Sequence, residues 1–233
     1  MIALVECSAP DAQGPDIILL HGIDGDAVSS WRASGDRPVF ADRLAVRFPT
    51  ARVRSLGYPA SLPTYRATPD LDLACVAARL ADTFGTVFSS TRPAVIVGFC
   101  LGGLVAAMAL RERTRAASLP PTLLFLLDAP LRPARGIDPY PQVAEALGLT
   151  PTLMGATLDW LQAALGDGKI AIVSILSEAP GWMEPYGREA LSPLAPLYHV
   201  PGDHLAMVAA RETEALPTLD HVIRETDAFL SAC

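Results

Sequence analysis

The stretch that most constrains this chain is Ala94-Val95-Ile96-Val97-Gly98-Phe99-Cys100-Leu101-Gly102-Gly103, followed by Leu104-Val105-Ala106-Ala107. A short apolar run ends in glycine, a cysteine flanked by single residues, a second glycine, and then a helix-forming segment. That order builds a strand, a very tight turn and a helix, with Cys100 at the apex. Side chains two positions either side of the apex would clash, and Gly98 and Gly102 remove those clashes. The pattern is the G-x-S-x-G nucleophile elbow with cysteine in the serine position. The backbone N–H of Leu101 and the start of the helix then face whatever sits on the sulfur, a placement suited to an oxyanion. Taken alone, the same pattern also fits a buried cysteine at a strand–turn–helix junction of any α/β protein.

The rest of the chain alternates strand and helix signals. Asp16–Leu20 is an apolar run leading into the glycine-rich turn His21-Gly22-Ile23-Asp24-Gly25, and Ala51–Leu56 reads as a second strand. Pro38–Phe48 has helical spacing, with Phe40, Leu44 and Phe48 on one face. Pro69 to Phe88 reads as one long helix whose acidic opening, Asp70 and Asp72, suits its positive end. Ala94–Val97 and Leu104–Arg113 form the strand and helix of the elbow. Leu123–Leu127 is apolar throughout, hence a strand buried on both faces. Lys169–Leu176 and Leu197–Val200 are further strands, and Thr218–Leu230 is a closing helix. Strands separated by helices imply an α/β fold with a mostly parallel central sheet flanked by helices. Residues 130–168 interrupt this rhythm with five prolines and one helix around Thr152–Leu165. This segment is expected to be a short lid insertion within a single domain spanning 1–233.

The chain has 233 residues, 51% of them hydrophobic. It can therefore bury one sizeable core. A formal charge of −7 and the lack of a basic cluster argue against a nucleic-acid partner. Charged residues or prolines interrupt every apolar run, so no membrane span is expected. Residues 1–9 lack the basic start and apolar stretch of a signal peptide, and a cytoplasmic location is the expectation. Cys7, Cys75, Cys100 and Cys233 show no paired spacing, so neither disulfides nor a metal site are expected.

In open α/β sheets, ligands bind beyond the carboxyl ends of the strands. Cys100 ends the elbow strand, Asp128 ends the next one, Glu178 follows the strand after that, and His204 follows Val200-Pro201-Gly202-Asp203. A thiol needs an adjacent imidazole to take its proton, and the imidazole needs a carboxylate to fix its tautomer. His204 is the candidate base, since it alone among the four histidines sits on a glycine turn after a late strand. His21 belongs to the glycine-rich turn and is expected to shape it. His199 falls within a strand and His221 on the last helix. Asp128 and Glu178 both remain candidates for the acid, while Asp203 is expected to form the turn.

Gly98-Phe99-Cys100-Leu101-Gly102-Gly103, Leu126-Leu127-Asp128, Gly181-Trp182 and Val200-Pro201-Gly202-Asp203-His204-Leu205-Ala206-Met207 together resemble the thioesterase domains of nonribosomal peptide and polyketide synthases, members of the α/β-hydrolase superfamily. The resemblance covers about residues 15–128 and 169–230. It implies an α/β-hydrolase fold with Cys100 as nucleophile, Asp128 as acid and His204 as base. From the residues themselves, the glycines on either side of Ile23–Asp24 let that turn approach the nucleophile, so an oxyanion hole from the N–H groups of Ile23 and Leu101 is expected. The substrate that the resemblance implies is an acyl or peptidyl group on the phosphopantetheine arm of a carrier protein, with no metal or organic cofactor. The chain departs from that family in its cysteine, its short lid and its Leu20-His21-Gly22-Ile23-Asp24-Gly25 turn. That turn, with Ser29-Ser30-Trp31 and Arg54-Ser55-Leu56-Gly57-Tyr58, also resembles lipase-like carboxylesterases, in which the acid would be Glu178. A third reading is a non-catalytic binding module that keeps the fold and has lost turnover.

Overall fold

Apolar runs without charges become the interior of one sheet. The computed structural model describes residues 1–31, 40–68, 70–132, 141–179, 190–191, 194–208 and 216–233. Its strands are β1 (Ala3–Glu6), β2 (Asp16–Leu20), β3 (Arg52–Gly57), β4 (Ala94–Phe99), β5 (Thr122–Leu127), β6 (Ala171–Ala179) and β7 (Leu197–Asp203). They form a seven-stranded sheet in the order β1-β3-β2-β4-β5-β6-β7, parallel except for β1, which runs antiparallel to β3. The strands β2, β4 and β5 are buried along their whole length, as expected for strands covered on both faces. Leu20 lies opposite Gly98, Gly98 opposite Leu126, and Leu127 opposite Ile175. This register brings the carboxyl ends of four neighbouring strands to one level.

The helices are α1 (Phe40–Arg47), α2 (Leu62–Ala67), α3 (Leu73–Val87), α4 (Leu101–Ala116), α5 (Pro141–Leu147), α6 (Pro151–Gly166) and α7 (Pro217–Ala232). With α2 preceding the expected span, the helix read over 69–88 is α3, which begins at Leu73 and not at the proline. Asp72 is the reason. Its carboxylate accepts the Cys75 N–H at 2.7 Å. It therefore caps the helix from outside instead of opening it from within. Residues 38, 39 and 69 lie outside the described residues.

The segment 130–168, expected as a lid, divides into parts with different jobs. The helix α6 buries Met154, Leu158 and Leu161 and packs along α4, where Arg111 donates to Thr157 at 3.2 Å. It is the crossover that parallel β5 and β6 require. Among the described residues of this segment, α5 with Pro130 and Leu149 lies toward the strand ends, and α5 packs against α2. Residues 133–140 lie outside the described residues. At the opposite pole of the sheet, the fully buried Asp16 is paired with Arg52 at 2.6 Å and Arg54 at 3.4 Å. Those two guanidinium groups compensate its desolvation.

Candidate active site

The elbow forms because β4 ends where only glycine fits. A Cβ on Gly98 would sit 2.5 Å from the Gly103 Cα, and one on Gly102 would sit 2.2 Å from the Leu20 carbonyl oxygen. Cys100 takes φ 52° and ψ -124°. Residues with a side chain seldom adopt that backbone conformation. Its N–H is held by the Leu127 carbonyl at 2.8 Å. Leu101 is the first residue of α4, so its N–H belongs to the unpaired donors of a helix start.

Asp128 follows β5 with φ 45°, and its N–H donates to the Ile175 carbonyl at 3.0 Å. Its carboxylate is completely buried and accepts hydrogen bonds from Ser177 and His204 among the described residues. The Ser177 N–H donates at 3.0 Å, the Ser177 hydroxyl donates to Oδ2, and the His204 Nδ1–H donates to Oδ2 at 2.9 Å. Gly202, at φ 100°, turns the chain so that His204 faces inward, and Asp203 accepts the Ala206 N–H at 2.9 Å. With Nδ1 committed to Asp128, Nε2 is the nitrogen left to act on Cys100, whose thiol lies close enough to raise the His204 pKa. Burial opposes charge on His204, but the hydrogen bonds and charges of Asp128 and Cys100 outweigh it and raise its pKa to about 9.

Of the two candidate acids, Asp128 therefore meets the imidazole. Glu178 is exposed, one residue beyond Ser177, whose side chain points to the Asp128 side of the strand by simple alternation. His199 lies exposed on β7. His221 lies at the surface of α7, stacked on Tyr198 with ring centroids 4.4 Å apart.

The glycine-rich turn after β2 closes over the elbow. A Cβ on Gly22 would stand 3.0 Å from the Cys100 Cβ, so Gly22 sets the close approach. Gly25 has a different role, since its Cβ would meet the Ser30 Oγ at 2.6 Å and not the elbow. The turn is braced at both ends. The Asp24 N–H donates to Ala60 O at 3.1 Å, and the Tyr58 hydroxyl donates to His21 O at 2.6 Å. His21 Nδ1 faces the Gly22 carbonyl at 2.9 Å and Nε2 faces the Tyr58 N–H at 3.3 Å. A carbonyl only accepts and an N–H only donates, so His21 is the neutral Nδ1–H tautomer. Burial lowers its pKa, in agreement.

Two contacts within the site escape sequence reasoning. Phe99 stacks on the His204 ring, centroids 4.6 Å apart and planes 27° apart. Ser177 clamps Asp128, and only the β5–β6 register reveals it. Among the described residues, no cluster of His, Cys, Asp or Glu is arranged to hold a metal. No described helix is long and apolar enough to cross a membrane. Gly181 and Trp182 lie outside the described residues. A cleft of ≈ 30 Å³ opens at Cys100, lined by Ile23, Leu101, Pro130, Val143, Ala144, Leu147 and Leu149.

Comparison with protein families decides the wider grouping. Residues 17–231 match the model of the alpha/beta hydrolase family. The chain belongs to that family. No curated protein matches the sequence. Among solved structures, the fold is similar to many, three of which follow. The NocB thioesterase domain from the nocardicin cluster has TM-score 0.58 at 19% identity, covering 97% of this chain and 98% of that one. The RedJ thioesterase from the prodiginine pathway of Streptomyces coelicolor has TM-score 0.58 at 17% identity, covering 96% of each. A carboxylesterase of the thaumarchaeon Nitrososphaera gargenis has TM-score 0.64 at 10% identity, covering 100% of this chain and 96% of that one. At these identities the likeness is one of fold.

Proposed function

We propose that this hydrolase-family chain is a thioesterase or acyl-transferring enzyme that works through a Cys100 acyl-enzyme. The observation that carries the reading is the Asp128–His204 hydrogen bond, which leaves Nε2 for the sulfur at the apex of the elbow. His204 Nε2 takes the Cys100 proton, and the thiolate attacks the carbonyl carbon of an acyl thioester. The N–H groups of Leu101 and Ile23 receive the oxyanion. The tetrahedral intermediate collapses by breaking the bond to the departing thiolate, which takes the proton from His204. A second nucleophile then gives its proton to His204, attacks the acyl-Cys100 carbonyl and expels the Cys100 thiolate, which recovers that proton. Asp128, unprotonated throughout, keeps Nδ1 as the donor and stabilises the imidazolium.

Sulfur suits a thioester donor. Exchange from a carrier thiol onto Cys100 trades one thioester for another, so the activation survives to the second step. The substrate class we propose is therefore an acyl group on the phosphopantetheine arm of a carrier protein, resolved by transfer or ring closure in preference to hydrolysis. The likeness of fold to the NocB and RedJ thioesterases is in keeping with this. The test is an acyl-N-acetylcysteamine thioester offered to wild type and Cys100→Ser, with intact-mass detection of the adduct. An acyl adduct on wild type that is consumed by an added alcohol or amine supports the reading. No adduct, or identical product ratios in the two proteins, removes the role assigned to sulfur.

A further inference from the structure

We propose that the cleft between the elbow and α5 is the acyl subsite, that it takes an uncharged aliphatic acyl group of up to about four carbons, and that Ala144 and Leu147 set this length. The proposal rests on the acyl-enzyme reading above and names the substrate that reading leaves open.

The side of the sulfur on which the acyl chain lies follows from the site. His204 must protonate the departing group, so that group lies toward the imidazole. The oxyanion must lie between Ile23 and Leu101. The remaining direction from the sulfur is the cleft, which is lined by Cys100, Ile23 and Leu101 and not by His204. Its far wall is one face of α5. Val143, Ala144 and Leu147 stand at i, i+1 and i+4 of that helix, and Leu147 is the most buried of them.

Its chemistry follows from the wall. Apart from the nucleophile, none of the described lining side chains carries a hydrogen-bonding or charged group. A carboxylate, an ammonium or a hydroxyl entering here would lose its hydration without compensation. The size follows from the volume. The cleft holds ≈ 30 Å³. One water-sized group takes about 10–15 Å³, so about two or three such groups fit beyond the carbonyl carbon. An aminoacyl group is therefore excluded by charge and a long fatty acyl group by length, which leaves transfer to an external acceptor, and not ring closure, as the second step.

The test uses alkyl methanethiosulfonates, in which the Cys100 thiolate attacks the sulfenyl sulfur, a mixed disulfide forms and methanesulfinate leaves. Propyl, octyl and 2-carboxyethyl reagents are compared by peptide mass spectrometry. The exposed Cys75 and Cys233 of the same molecule supply each reagent's intrinsic reactivity. Relative to those cysteines, Cys100 is expected to favour propyl over octyl and over carboxyethyl by about tenfold or more. Leu147→Ala should restore the octyl rate, and Ala144→Leu should suppress the propyl rate. Because Leu147 is a core residue, Val143→Ala on the half-buried part of the same face is measured beside it and should move the preference the same way. Equal normalised rates for the three reagents, or a preference indifferent to all three variants, overturns the proposal. Acyl thioester turnover is assayed in parallel. Chain-length selectivity without any turnover would remove the proposed function and leave the subsite standing. Turnover without selectivity would do the reverse.

Discussion

Three non-glycine residues among those described have positive φ, namely Asp24, Cys100 and Asp128. Two of them, Cys100 and Asp128, belong to the candidate site around His204. Such conformations cost about 1–3 kcal/mol each and persist where the surroundings over-determine them. At Cys100 the surroundings are the two glycines, and at Asp128 they are Ser177 and the Ile175 carbonyl. Replacing Asp128 with Asn should lower turnover by about 10²–10⁴-fold while thiol labelling at Cys100 persists. A loss below about threefold in kcat/KM would move the acid role elsewhere. Phe99 presents its ring to the imidazolium, a favourable contact for the charged form. Phe99→Leu should therefore lower the His204 pKa from about 9, read from an NMR titration of the imidazole, and Phe99→Trp should restore it. No change in the leucine variant would reduce Phe99 to filler. Gly102→Ala drives a Cβ into the Leu20 carbonyl. It should cost about 3 kcal/mol or prevent folding, measured by urea denaturation. Cys100, His204 and Asp128 are legible in the sequence because each follows an apolar strand. Phe99 is hidden because a stacking partner leaves no spacing signal, and the choice between Asp128 and Glu178 needs the strand alternation at Ser177.

Elements explain what sequence periodicity reads correctly and where it runs long. The buried runs of β2, β4 and β5 carry no competing signal, so their limits fall within about two residues of expectation. Prolines suggest a lid over 130–168, but they mark breaks and not destinations. The apolar face of α6 packs on α4, while α5, with Pro130 and Leu149, lines the cleft at the nucleophile. The edge strand β1 has no sequence signal because four residues with mixed exposure show no period. The pairing of β5 with β6 carries a prediction of its own. Asp128 and Ser177 lie side by side at the ends of adjacent strands, joined by two hydrogen bonds. Exchanging them, Asp128→Ser with Ser177→Asp, should recover at least about tenfold of the activity lost in Asp128→Ser alone, because the carboxylate stays in reach of the same Nδ1. A double variant no better than the single one would show that the 45° φ at Asp128, and not its place on the sheet, is what the imidazole requires.

On the scale of the whole molecule, protonation acts through the buried turn. His21 is fully buried and neutral, and burial holds its pKa below the unfolded value of 6.5. As pH falls below that value the unfolded chain binds a proton that the folded chain refuses, so stability is lost on the acid side. The urea midpoint should drop as pH falls below 6.5, and His21→Gln should flatten that drop, whereas parallel slopes for the two proteins would clear His21 of the effect. The sheet order has a different consequence. Cys100 and Asp128 hang from central strands, whereas His204 follows β7, the outermost strand, joined to β6 across an irregular register and exposed at most of its positions. Outer strands are the first to part from a sheet when a protein opens locally. The molecule therefore carries its own safety catch. Mild denaturant should release the base from the sulfur while the central strands stay folded, so that activity vanishes at a lower urea concentration than the circular dichroism of the sheet, and the idle protein regains its function on dilution.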